Sequence, residues 1–173
     1  MKAQFGDWMF FTHPRLNPDA VPRIPVYTML AGIREECGKR GIRVVSHQGC
    51  DIMDENAQDI EGAVSVAENA DVIVAVVGDC RSQNGETRDR ANLDLSGAQL
   101  DLLKALKKCG KPLIVILVNG KPLSVPWVRQ NADAFLETFN SGMFGGKAVA
   151  DVLFGKFNPC GKLSISFPYH SGQ

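Results

Sequence analysis

The chain has 173 residues, a hydrophobic share of 45%, and equal numbers of Lys+Arg (19) and Asp+Glu (19). That length suits a single domain burying about 70% of its unfolded surface, which excludes wholesale disorder and any need for disulfide staples. A formal net charge of zero excludes bulk attraction to nucleic acid or to an anionic membrane as the way the protein works.

The start, MKAQFGDWMFF, lacks the long apolar stretch of a secretory leader, and no later run reaches the ~18 apolar residues of a membrane span. Residues 1–25, with Pro14, Pro18, Pro22 and Pro25, read as an extended arm without a helix. Trp8, Phe10 and Phe11 are apolar enough to dock, either on this domain or on a neighbour. From Pro25 the spacing of Tyr27, Leu30 and Ile33 predicts a helix ending near Gly38 or Gly41. IRVVS (42–46) reads as a short strand and 57–69 as a second helix. DVIVAVVG (71–78) and PLIVILVNG (112–120) are continuous β-branched runs, the signature of strands buried on both faces. Between them lie a polar loop, Asp79–Asp94, and a third helix. That helix is read as capped by Ser96, with Leu100, Leu103 and Leu106 on its apolar face. DAFLETF (133–139) is a further strand, 145–154 a short helix, and LSISF (163–167) an alternating edge strand.

This rhythm predicts an α/β three-layer sandwich: a mostly parallel sheet of about five or six strands, with helices on both faces. Ligands of such sheets sit beyond the carboxyl ends of the strands, here the segments 79–95, 119–127 and 140–145. The loop DCRSQNGETRDRANLD is about three times the usual strand-to-helix length and carries almost nothing apolar. Within it, Glu86 follows Gly85 and neighbours Arg88 and Arg90. A cleft carboxyl can act as a general acid, and a surface Glu–Arg pair worth ~0–1 kcal/mol is the plain alternative; the pattern alone does not choose. GMFGG (142–146) suits an anion at a helix start or, more economically, a turn that needs small residues. Phosphate-loop, dinucleotide and GxSxG motifs are missing, and His13, His47 and His170 stand alone, so neither cofactor nor metal is expected. The five cysteines, odd in number and without CxxC, read as free thiols, which favours a cytoplasmic, reducing setting.

Several stretches together carry a family resemblance. GKAVADVLFGKFNPCGKLSISFP (146–168) resembles the GGxAIADVLFGxxNPSGKLPxTFP signature of glycoside hydrolase family 3, the β-glucosidase and β-xylosidase group. LVNGKPLSVPW (117–127), ENADVIVAVVG (68–78) and Glu86-x-x-Asp89-Arg90 resemble further segments of its C-terminal α/β-sandwich domain, and GDW (6–8) resembles the segment where the chain leaves the preceding barrel. Departures are Phe144 where many members carry Glu, Phe139-Asn140-Ser141 for Trp-Tyr-Pro, and Cys160 within NPCG.

The resemblance implies a retaining exo-β-glycosidase releasing terminal β-D-glucosyl or xylosyl units. Its nucleophile would be an Asp on a preceding (β/α)8 barrel, so no residue of this chain supplies it. By motif match Glu86 is the general acid/base, with Asp89 and Arg90 shaping its loop. Residues 1–25 would be the linker from that barrel and 26–173 the sandwich domain, inactive alone. Its partners would be the barrel and a β-glucoside or oligosaccharide substrate, not nucleic acid or membrane, and the exposed seam would drive self-association. A non-catalytic carbohydrate-binding or docking module with the same fold is the alternative.

Overall fold

The computed structural model describes residues 2–5, 25–56 and 58–173. At its centre lie three parallel strands, β1 (Ile73–Gly78), β2 (Leu113–Val118) and β3 (Ala134–Glu137), in the order β1-β2-β3. Their register pairs Ala75 with Val115 and Val115 with Phe135. Residues alternate faces along a strand, and β2 shows why a continuous apolar run suits the middle of a sheet. Leu113, Val115 and Leu117 enter one core, whereas Ile116 and Val118 enter the other.

The first core lies under α2 (Ile60–Glu68), α3 (Gln99–Lys108) and the short α4 (Pro126–Asn131), and includes Ala63, Ala67, Leu103, Leu106 and Val128. The second lies under α1 (Met29–Gly38) and α5 (Gly145–Leu153), through Met29 and Val149. Leu103, Leu113, Ile116 and Leu117 are fully buried, each worth about 1.5–3 kcal/mol relative to exposure. The three-layer α/β class expected from the sequence is therefore the fold.

The strand count differs from expectation: three among the described residues, not five or six. Neither 42–46 nor 163–167 joins a ladder. Ile42 (49%), Val45 (47%), Leu163 (57%) and Ile165 (51%) stay exposed. A β pattern states a preference, but a strand exists only where a neighbour supplies hydrogen bonds and side-chain contacts.

Helix starts also move, each for a capping reason. The first begins at Met29 instead of Pro25, because the Thr28 hydroxyl accepts from the Ala31 N–H at 3.1 Å. The second begins at Ile60, where Asp59 accepts from the Gly62 N–H at 3.0 Å. Ser96 does not cap α3: Ala98 precedes that helix without a side-chain cap, and the Ser96 hydroxyl instead accepts from Gln83 Nε2 at 2.9 Å. The apolar face of α3 is Leu102, Leu103 and Leu106, with Leu100 half-buried. The short α4 was not expected.

The arm also departs from expectation at its start. Lys2–Phe5 forms a 3-10 turn with Gln4 and Phe5 buried. Gln4 ties it down, donating to the Tyr27 and Gly142 carbonyls and accepting from the Gly142 N–H. Trp8, Phe10 and Phe11 lie outside the described residues. All five cysteines are free.

Candidate active site

The three strands end together at Gly78, Val118 and Glu137. The connections leaving those ends, 79–95, 119–125 and 138–144, share the carboxyl edge of the sheet, as the parallel topology requires. The first is long and polar but not loose. Its far end is stitched to the second by a parallel bridge between Asp94 and Ser124 and by the Ser124 N–H donating to the Leu93 carbonyl at 2.8 Å.

Its near end rests on Asp79, which is buried. Asp79 accepts from Asn84 Nδ2 and from the Gly120 N–H at 3.1 and 3.2 Å, joining the ends of β1 and β2. Burial pushes the Asp79 carboxyl up, against the pull of Asn84, the Gly120 N–H and the charge of Arg90. Glu137, at the end of β3, is likewise pushed up by burial, and the Asp79 charge adds to the effect. Its Oε1 accepts from the Phe139 N–H at 2.6 Å. Glu137 Oε2, Asn84 Oδ1 and Asn119 Oδ1 are buried with no partner among the described residues. The carboxyl edge is thus rich in buried acceptors, which carry a desolvation cost wherever they stay unsatisfied.

Glu86 sits solvent-exposed at the apex of the loop. The residues on either side of it have left-handed backbone, Gly85 at φ +108° and Thr87 at φ +66°. For a β-branched residue that conformation is an outlier costing about 1–3 kcal/mol. Asp89 is exposed as well. Arg90 is half-buried and donates Nη2 to the Asp94 carbonyl at 2.7 Å, closing the loop's far side. Arg88 Nη1 donates to the Arg81 and Asn84 carbonyls at 2.8 and 3.0 Å. Both arginines beside Glu86 therefore commit a guanidinium nitrogen to backbone carbonyls.

Lys121 escaped the sequence reading. Its Nζ donates to the Gln83 carbonyl at 2.9 Å and to the Arg88 carbonyl. Asp79, which is buried, and Glu137, which is half-buried, escaped it too as carboxyls of the same edge. The hint was Asp79 itself, a charge directly after the apolar strand β1.

GMFGG proves to be a packing turn. A Cβ on Gly146 would lie 2.0 Å from the Thr28 carbonyl oxygen, so only glycine allows α5 to start against α1. Phe144, at a position of departure, is exposed and stacks on Tyr27 with ring centroids 5.6 Å apart. An apolar groove of about 440 Å³ runs between β3 and α5, lined by Leu136, Val149, Val152 and Phe157 and by no residue of the Glu86 loop. Among the described residues, no group of three or more His, Cys, Asp or Glu side chains is placed to hold a metal ion.

Fold and site together define a three-layer α/β domain with a carboxylate-bearing loop over the carboxyl edge of its sheet. Residues 2–173 match the glycosyl hydrolase family 3 C-terminal domain, and the chain belongs to that family. It is 43% identical over 150 residues to a β-xylosidase of Formosa agariphila, covering 86% of this chain and 21% of that protein. It is 51% identical over 114 residues to a periplasmic β-glucosidase of Salmonella typhimurium, covering 66% of this chain and 15% of that protein. Among solved structures, a β-glucosidase involved in saponin metabolism from intestinal bacteria superposes with a TM-score of 0.86 at 31% identity. That match covers 99% of this chain and 28% of the other. The chain spans 15% to 21% of the length of these two curated relatives.

Proposed function

We propose that Glu86 is the general acid/base of a retaining exo-β-glycosidase whose nucleophile is carried by a (β/α)8 barrel outside this chain. The supporting observation is position: an exposed carboxyl at the apex of a held loop, over the carboxyl edge of the sheet, in a family 3 domain. The substrates are terminal β-D-glucosyl or xylosyl units, in keeping with the β-glucosidases and β-xylosidases among its relatives.

Retaining chemistry needs two carboxyls ~5–5.5 Å apart. In the first step the barrel carboxylate attacks the anomeric carbon while Glu86 donates its proton to the departing glycosidic oxygen. In the second, the Glu86 carboxylate takes a proton from water as that water displaces the enzyme ester and releases the sugar. Two carboxyls suffice, so no cofactor enters. Cover by the barrel and the sugar would supply the water-excluded setting in which general-acid chemistry works. Asp89 and Arg90 shape the loop.

Taken alone the domain is silent, because one carboxyl cannot form the glycosyl-enzyme. The test joins this chain to a family 3 barrel and assays an aryl β-glucoside or β-xyloside. Glu86→Ala should slow turnover about 10²–10⁴-fold, the range for general acid–base catalysis, with azide restoring part of the rate as a glycosyl azide. Indifference to Glu86 would favour a non-catalytic sugar-binding or docking module. Turnover by the isolated chain, abolished by Glu86→Gln, would overturn the requirement for a barrel.

A further inference from the structure

The geometry points to Lys121 as the positioning residue that sets the conformation of the Glu86 turn; this rests on the role proposed for Glu86. Lys121 lies just beyond β2, in the turn Asn119-Gly120-Lys121-Pro122. Its own backbone is held, because Asn119 Nδ2 donates to the Lys121 carbonyl at 2.8 Å. Its ammonium then reaches the carbonyls of Gln83 and Arg88, one before and one after Glu86. Drawing both to one cation closes the intervening segment into a tight turn. That closure matches the two left-handed residues, Gly85 and Thr87, that bracket Glu86.

The energetics have a direction. Thr87 left to itself would abandon positive φ, and the turn would open. Hydrogen bonds from a charged donor are stronger than neutral ones, and two of them oppose the opening of one such residue. Gly120 N–H on Asp79 and Arg88 on the Arg81 and Asn84 carbonyls support the same turn from below. Lys121 grips both sides of Glu86 from a different connection of the sheet. Lys121 touches no reacting atom; it acts through where it puts the carboxyl.

The test separates proton donation from general damage by varying the leaving group in the barrel-joined enzyme. A 2,4-dinitrophenyl glycoside departs without a proton, whereas an alkyl glycoside needs one. Lys121→Met should lower kcat/KM for the alkyl glycoside about 10–100-fold, as misplacement by ~1 Å does, and leave the dinitrophenyl value within about threefold. Lys121→Arg should recover part of the loss. An equal loss on both substrates, or none on either, overturns the proposal. Glu86→Gln run alongside keeps the two claims apart. If it shows the leaving-group split and Lys121→Met does not, only the Lys121 role falls; if Glu86→Gln lacks the split, both fall. Hydrogen exchange on this chain alone gives a readout that needs no barrel. Lys121→Met should speed exchange at residues 83–88 about tenfold or more while leaving β2 amides unchanged, and an unchanged turn overturns the clamp.

Discussion

The α1–α5 end and the carboxyl edge of the sheet each bury carboxyls, and they treat them in opposite ways. Glu36 is 3% exposed yet meets Lys156 at 2.6 Å, Lys39 at 2.7 Å and Arg40 at 2.6 Å. Those three cations hold its carboxyl far below the usual range. Asp79 and Glu137 are pushed up, because burial there is opposed mainly by amides. Around Glu36 the backbone is equally settled: a Cβ on Gly32 would lie 2.0 Å from the Gly146 carbonyl oxygen, so α1 and α5 pack backbone to backbone. At the carboxyl edge the backbone is strained at Thr87 and Phe139, and acceptors go unpaired. One end is closed and charge-balanced, as a structural joint should be. The other keeps strained backbone at Thr87 and Phe139 and carboxyls faced mainly by amides.

This contrast can be broken at either end. The largest effect belongs to Gly32→Ala, which forces a methyl into the Gly146 carbonyl and should cost about 3 kcal/mol or more by urea denaturation. Near-normal stability would mean that the α1–α5 joint yields easily. Next is Glu36→Gln. The Glu36 carboxyl has a folded pKa below its unfolded value of about 4.5, so its contribution is present above that pH and fades as acid protonates it. The variant should melt lower than wild type at pH 7, and the gap should narrow below about pH 4.5; a gap constant with pH would deny the ion cluster its role.

Glu137→Gln tests the opposite sign. The Glu137 folded pKa lies above the unfolded 4.5, so wild type loses stability as pH rises from there, and glutamine removes that loss. The variant should melt higher than wild type at pH 8 and alike at pH 4, and a lower melting point at pH 8 would show that the carboxylate is well paired after all. The smallest effect is Thr87→Gly, which relieves the positive φ and should raise stability by roughly 0.5–1 kcal/mol in denaturant titration.

Much of the candidate site was legible residue by residue. The loop stood out because a long polar stretch after an apolar strand is a local feature of the chain, and Glu86 within it was singled out by resemblance to a contiguous family motif. Lys121 was invisible because nothing local distinguishes it from a surface lysine in a turn. Its contacts join residues 38 and 33 positions apart. Asp79 and Glu137 are 58 residues apart in the sequence and share an edge only because β1 and β3 both end there. The extended segments 42–46 and 163–167 failed in the other direction, since period-2 alternation cannot say whether a neighbouring strand is there to pair with.

The amino-acid sequence by itself determined the three layers, the two apolar parallel strands and the carboxyl edge of the sheet, although only β2 is buried on both faces and β1, at the sheet's edge, leaves Val76 exposed. Those follow from periodicity, β-branching and chain order, which act over a few residues at a time. Tertiary structure alone decided which extended segments became strands, that a lysine beyond β2 grips the turn beyond β1, and that cations surround the Glu36 carboxyl while mainly amides face those of Asp79 and Glu137. Each of these depends on what lies opposite in space, and burial makes that neighbour decisive by removing the water that would otherwise screen or satisfy the group.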